Sequence, residues 1–261
     1  MGLFGKLFEK KSCDICGGEI GLLGNKKLED GNCCKECAGK LSPWFNERRH
    51  STVEDIKAQL AYREENRDVV AKFNTTRSFG EDMNVLLDED QHLFMVTRAR
   101  NLKEANPDVL SFSQVTGCDL DIDEDRTEEM REIKDKDGNT KRVSYNPPRY
   151  TYRYDFYIII RVNHPYFDEM KFKLNRSSVE VEVTGRQTTG TTPGKRSVDY
   201  QDYERMGKEI KRTLTSIRTQ ARKEAAEAAA PKAAVTCPYC GATTTPDASG
   251  CCEYCGGAVN G

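Results

Sequence analysis

The sequence predicts an α+β chain: an antiparallel β-sandwich or barrel closed by a C-terminal helix, with a small cysteine-rich module at either end. Three observations lead there. Of the eleven cysteines, all but Cys118 fall in two terminal clusters. Between about residues 74 and 185, short stretches alternate apolar and polar residues with the period of two that turns one face of a strand toward a core. From Tyr200 onward, apolar residues recur every three or four positions, the period of a helix with one buried stripe.

The first cluster is CDICGGEIGLLGNKKLEDGNCCKEC, residues 13–37, and the second is CPYCGATTTPDASGCCEYCGG, residues 237–257. A C-x2-C pair makes a tight turn that aims both sulfurs at one centre, and a following glycine lets the backbone close the turn. Cys13-x2-Cys16-Gly17 and Cys237-x2-Cys240-Gly241 have that form. Each cluster ends in a doublet, and only its second cysteine keeps the two-residue gap. The expected metal ligands are therefore Cys13, Cys16, Cys34 and Cys37 at one site, and Cys237, Cys240, Cys252 and Cys255 at the other. The spacings C-x2-C-x17-C-x2-C and C-x2-C-x11-C-x2-C are those of zinc ribbons, so two Zn2+ ions per chain are expected, ahead of iron or redox dithiols. Four thiolates fill a tetrahedron and leave no position for water, which makes both sites structural. Cys33 and Cys251 are left as spare, half-buried thiols.

Residues 12–62, with CDICGGEIGLLGNKKLEDGNCCKECAGKLSPWF followed by STVEDIKAQLAYREEN, resemble the bacterial family of domain of unknown function 4428, described as a zinc finger or ribbon. The resemblance implies a metal and supplies no reaction.

The chain divides in order. Residues 1–11 are a tail whose Leu3, Phe4, Leu7 and Phe8 fray or fold back, with weak peripheral contact to a membrane as the alternative. Residues 12–46 are the first ribbon. A connecting helix occupies 47–73, started by a capping box of Ser51 and Glu54 and lying on a surface with Val53, Ile56, Leu60 and Tyr62 among charges. The sheet domain is 74–222. Its clearest strand is YTYRYDFYIIIRV, with Tyr150, Tyr152, Tyr154, Phe156, Ile158 and Ile160 on one face. Shorter strands are expected at 85–87, 92–97, 109–112, 116–122, 141–145, 169–174 and 178–183, with a hairpin turn at Lys136-Asp137-Gly138-Asn139. Tyr203, Met206, Ile210, Leu214, Ile217 and Ala221 give the terminal helix its stripe. An alanine-rich linker, 223–235, stopped by Pro231, leads to the second ribbon at 236–261. A sheet of about seven strands closed by one C-terminal helix resembles the pleckstrin-homology-like fold, which implies a binding platform.

A net charge of -2 and a pI near 6.1 supply no overall pull toward phosphate. No apolar run is long enough to cross a bilayer, and the opening MGLFGKLFEKK is too short in apolar residues for a signal peptide, so a cytoplasmic location is expected. Asp119, Asp121 and Asp123 have the spacing of a calcium loop, but Glu124 and Met130 stand where such a loop requires Gly and Glu, and a solvated, charge-rich hairpin is expected instead. His50, His92 and His164 are scattered, and Cys118 sits on a strand as a buried filler. No catalytic residues are assigned and no enzyme is expected. The sequence thus points to a cytoplasmic zinc-binding interaction or adaptor protein with a protein or peptide partner. The alternative is a nucleic-acid or ribosome-associated ribbon protein, disfavoured by the scarcity of cations in the second ribbon.

Overall fold

The computed structural model describes residues 11–185, 193–229, 234–247 and 249–259. Leu3, Phe4, Leu7, Phe8 and Pro231 lie outside the described residues. The chain forms two compact units, Met1–Arg218 and Thr219–Gly261.

The first unit opens with four two-residue strands, β1 (Lys11–Ser12), β2 (Glu19–Ile20), β3 (Lys26–Lys27) and β4 (Asn32–Cys33), paired β1–β2 and β3–β4. A short helix α1 (Lys35–Gly39) follows, and Ile20, Leu28, Cys33 and Leu41 bury against Ile56 of α2 (Val53–Lys72). α2 starts one residue later than Ser51 and Glu54 suggest. Its cap is Thr52, whose hydroxyl accepts from the Asp55 amide at 3.2 Å while the Asp55 carboxylate accepts from the Thr52 amide at 2.9 Å. Ser51 is instead buried and donates to Glu47 O at 2.9 Å, closing the 3-10 turn before the helix.

Nor does α2 simply lie on a surface. Alongside Ile56 and Val70 it buries Gln59, Arg63 and Asn66. Arg63 pairs with the fully buried Asp108 at 2.8 Å, and Asp108 also accepts from Ser42 Oγ at 2.8 Å. Asn66 donates to Pro107 O and to Asn106 Oδ1, both at 2.8 Å, and accepts from the Val109 amide at 3.1 Å. The helix α3 (Leu102–Ala105) ends at Asn106, which holds a left-handed φ of 47° and donates to Arg63 O at 2.7 Å.

Four strands, β5 (Arg77–Phe79), β6 (Asn84–Asp88), β7 (Leu93–Thr97) and β8 (Val109–Ser111), form an antiparallel meander. A second sheet is built on β10 (Thr140–Val162), which pairs with β9 (Val115–Lys134) along one side. Its other side pairs with β11 (Glu169–Lys173) and then β12 (Val179–Thr184). Tyr152, Tyr154, Phe156, Ile158 and Ile160 are buried, as their alternation requires, and the hairpin turns at Gly138 with φ 82°. The strands expected at 116–122 and 141–145 prove to be parts of two much longer ones. At the joint between β11 and β12, Asn175 takes the place of a strand residue: its Oδ1 accepts from the Phe156 amide at 2.8 Å and its Nδ2 donates to Tyr154 O at 3.1 Å.

Of the expected sandwich or barrel, no closed barrel forms among the described residues. After β8 the chain leaves its sheet through a 3-10 turn at Phe112–Gln114, and among the described residues the two four-stranded sheets share no ladder. The architecture is mixed, with several separate antiparallel sheets. Helix α4 (Val198–Ala229) buries Tyr200, Ile210 and Leu214. Tyr200 packs edge-on to Tyr154 and Phe156, and Lys211 reaches Asp119 of β9 at 3.0 Å. Gly207 lets the Leu120 side chain pack close to the helix, since a Cβ there would stand 2.5 Å from Leu120 Cδ1 and force that side chain to move. The second unit contains β13 (Val235–Thr236) paired with β14 (Thr243–Thr244).

Candidate metal centres

At the first site, the Cys13–Gly17 turn is closed by the Gly17 amide donating to Cys13 O at 2.7 Å, with Gly17 at φ 74°. The other half of the site is built differently. Cys34 caps α1 and Cys37 lies inside it, so one helical turn sets their spacing, and the Cys37 amide donates to Cys34 Sγ at 3.3 Å. The Cys34 amide donates to Cys13 Sγ at 3.2 Å, joining the two halves. All four sulfurs lie within 4.8 Å of one another, and Cys16 Sγ is 3.8 Å from Cys34 Sγ.

The second site has two like halves. The Cys237 amide donates to Ala242 O and the Cys252 amide to Gly257 O, each at 2.8 Å, and Gly241 and Gly256 have φ of 71° and 70°. Its four sulfurs also lie within 4.8 Å, with Cys237–Cys255 at 3.6 Å and Cys240–Cys252 at 3.7 Å. These lengths test what the sulfurs are arranged for. A disulfide needs about 2.05 Å. Four sulfurs about 2.3 Å from a central zinc stand about 3.8 Å apart along the edges of the tetrahedron. Both sets are arranged for a metal ion and fit zinc.

Residues 11–59 match the family model described as a domain of unknown function (DUF4428). No curated protein and no solved structure matches the chain. The DUF4428 match covers the first ribbon and the first two turns of α2, and stops short of the sheets and the second ribbon.

Electrostatics within the first ribbon favour thiolate at one ligand. Burial alone would raise Cys13, but amides of Cys16, Cys34 and Ile15 aimed at its sulfur outweigh that and bring it down to about 6. Cys237 also falls to about 6 against its burial, through amides of Cys240 and Tyr239. Cys37 is pushed up by burial and by hydrogen bonds to the neighbouring sulfurs, as expected when four thiols share one centre without a cation.

The structure brings together the second cysteine of each doublet, as the two-residue gap requires. Cys33, at the end of β4, is fully buried in the ribbon core rather than half-buried, and burial pushes its thiol up to about 11. Cys251 is half-buried and bridges to Ala258. What the sequence reading missed is the bracing. Asp14 accepts from the Asn32 amide at 2.7 Å, and Asp30 accepts from the Val53 amide at 2.8 Å, fastening the ribbon to the start of α2. A D-x-C or D-G step after a cysteine turn is too common to single these carboxylates out.

Elsewhere, Asp119, Asp121 and Asp123 project from β9, where Asp119 is held by Arg161 and Lys211 and Asp121 by Lys171. Cys118 is buried on β9 as expected, and burial lifts its thiol to about 12. His50 is exposed, and His92 stacks on Phe112 with centroids 5.8 Å apart. His164 lies 3.0 Å from Tyr62 Oη, and burial holds its imidazole below the usual range against an opposing pull from Asp108. No described helix is long and apolar enough to cross a membrane.

Proposed function

We propose that this chain is a zinc-stabilised interaction or adaptor protein of a reducing compartment such as the cytoplasm. One zinc ion is held by Cys13, Cys16, Cys34 and Cys37, a second by Cys237, Cys240, Cys252 and Cys255, and the sheet domain takes a protein or peptide partner. The observation that carries the reading is the pair of closed four-sulfur sets with edges of 3.6–3.8 Å. Four thiolates around zinc leave it no open position, so the ion supplies folding energy to modules too small to hold themselves.

Two features support the partner. A four-stranded meander, then β9 to β12, then a terminal helix resembles the element order of a pleckstrin-homology-like platform, with eight strands in place of seven. In addition, β9 is paired on one side only among the described residues, and beyond Thr116, whose carbonyl accepts from Arg218 Nη1, that edge is one on which an extended peptide adds as a strand.

Native mass spectrometry of the full chain tests the metal. Two zinc ions are expected, with one lost in Cys34→Ser, one in Cys252→Ser, and none in Cys33→Ser or Cys251→Ser. Iron, or disulfides in place of metal, overturns it. For the partner, peptides selected against the full chain are expected to slow amide exchange along β9, and protection confined to other strands refutes that edge.

A further inference from the structure

The turn between β2 and β3 carries the two most exposed large apolar side chains among the described residues, Leu22 at 83% and Leu23 at 94%. They are the corner residues of a four-residue turn, Gly21-Leu22-Leu23-Gly24, closed by the Gly24 amide donating to Gly21 O at 2.9 Å. Nothing in the fold asks for leucine there. Corners of tight turns favour Gly, Asn, Asp, Ser or Pro, and this ribbon's core is already filled by Ile20, Leu28, Leu41 and Ile56.

A second observation says what kind of surface the leucines face. Lys26 and Lys27 follow the turn after Asn25, and with Arg48 and Arg49 they line a cleft of about 630 Å³ in which Glu29 is the single acid. Arg48 Nη1 donates to Lys27 O at 2.6 Å, which holds that guanidinium beside the lysines. None of these four cations forms an ion pair with a carboxylate among the described residues. A fifth, exposed Lys11, is paired in β1 opposite Ile20, at the root of the same turn. In a chain of net charge -2, four cations share one cleft beside the leucine turn, with Lys11 opposite Ile20 at its foot.

We propose that this end of the N-terminal ribbon docks on an anionic lipid surface. Leu22 and Leu23 enter the boundary between headgroups and acyl chains, while Lys26, Lys27, Arg48 and Arg49 face the headgroup phosphates and carboxylates. Each alternative partner leaves one half of the feature without a role. Nucleic acid satisfies the cations but gives two aliphatic side chains nothing to enter, since its stacking surfaces call for aromatic rings. A protein partner meets a specific site over some 800 Å² a side, whereas two leucines on a narrow turn suit a medium that closes around them. The cations attract the protein to the surface within about one Debye length, and the leucines then make binding less sensitive to salt than charge alone.

The test is co-sedimentation of the full chain with vesicles of phosphatidylcholine, with and without about 30% phosphatidylserine, at physiological salt. Binding is expected only with phosphatidylserine present. Leu22→Ser with Leu23→Ser is expected to weaken it at least ~10-fold, and Lys26→Glu with Lys27→Glu by a similar factor. Leu22, Leu23 and Lys27 are exposed and Lys26 is half-buried opposite Cys33; none of the four is a proposed ligand, and unchanged Trp44 fluorescence verifies the fold. Residues 1–10 stay in place throughout, so a leucine variant that binds as well as the parent overturns the proposal, whatever the tail contributes. Equal binding to pure phosphatidylcholine, or no binding to either vesicle, also overturns it, as does tighter binding to an RNA oligomer that the leucine changes leave untouched.

Discussion

Cys33 and Cys34 are adjacent, yet their sulfurs lie in different environments. Cys33 closes β4 and its side chain points into the ribbon core, whereas Cys34 begins a helix and turns its sulfur toward Cys13 and Cys16. Successive residues of a strand face opposite ways, so a doublet at a strand end supplies one core residue and one ligand. Cys33→Ala is therefore expected to keep both metal ions and lose ~1–2 kcal/mol through the small cavity it leaves. Equal loss of metal in Cys33→Ala and Cys34→Ala, read by native mass spectrometry beside thermal melts, refutes that division. Cys118 offers a cleaner titration, belonging to neither sulfur set. Burial raises its thiol from 9.0 to about 12, with Asp119 adding to the shift. The unfolded thiol loses its proton first as pH rises, so the stability this group contributes is complete below pH 9.0 and drains away toward about 12. Urea titrations across that range should show a pH-dependent loss that Cys118→Ala reduces, and identical slopes in the two proteins would refute it.

At the scale of elements, what could be read in the sequence depended on whether the signal was a spacing, a period or a set of polar partners. The ribbons are spacing and β10 is period, and both were legible, down to which cysteine of each doublet joins its set. β5 was missed because Arg77–Phe79 is too short to show alternation, and the far half of β9 because its residues are charged on both faces, as suits a strand standing in water. Helix α2 was misplaced for a different reason. Between Ile56 and Val70 its inward face is Gln59, Arg63 and Asn66, and hydrophobic periodicity cannot register a buried stretch whose partners, Ser42, Asn106 and Asp108, are polar. That face sets a prediction. Asp108→Ala strands a buried guanidinium and is expected to cost ~3–5 kcal/mol, whereas Arg63→Met with Asp108→Leu, which removes both charges, should cost clearly less. A double variant as unstable as the single one in chemical denaturation would show that the two charges are not coupled. Asn175→Ala tests the joint in the second sheet. It leaves the Phe156 amide and Tyr154 carbonyl without their side-chain partner, and ~2–4 kcal/mol should be lost, with faster amide exchange at Phe156 and little change at Ile160.

The whole molecule joins parts that depend on metal to very different degrees. Among the described residues the second ribbon has a buried apolar cluster of Cys237, Cys252 and Val259, with Val235 packed beside it, so two of those three are proposed ligands. Such a cluster cannot offset the backbone entropy of its loops once the sulfurs are no longer drawn together. The first ribbon also buries Ile20, Leu28, Leu41 and Ile56, is pinned to α2 through Asp30, and leads into the Arg63–Asp108 network. The sheets bury Phe94, Leu110, Tyr154, Phe156 and Met170, with no proposed ligand among them. A strong chelator is therefore expected to act in a graded way. Amide exchange across 234–259 should rise to the rates of an unfolded chain, residues 11–41 should lose protection at the cysteine turns while keeping some around Leu28 and Leu41, and β6, β7 and β10 should not change. Hydrogen exchange read by mass spectrometry before and after chelation separates the three regions. Uniform loss across all of them would show that metal holds the entire fold, and unchanged protection at 234–259 would show that the second ribbon stands without it.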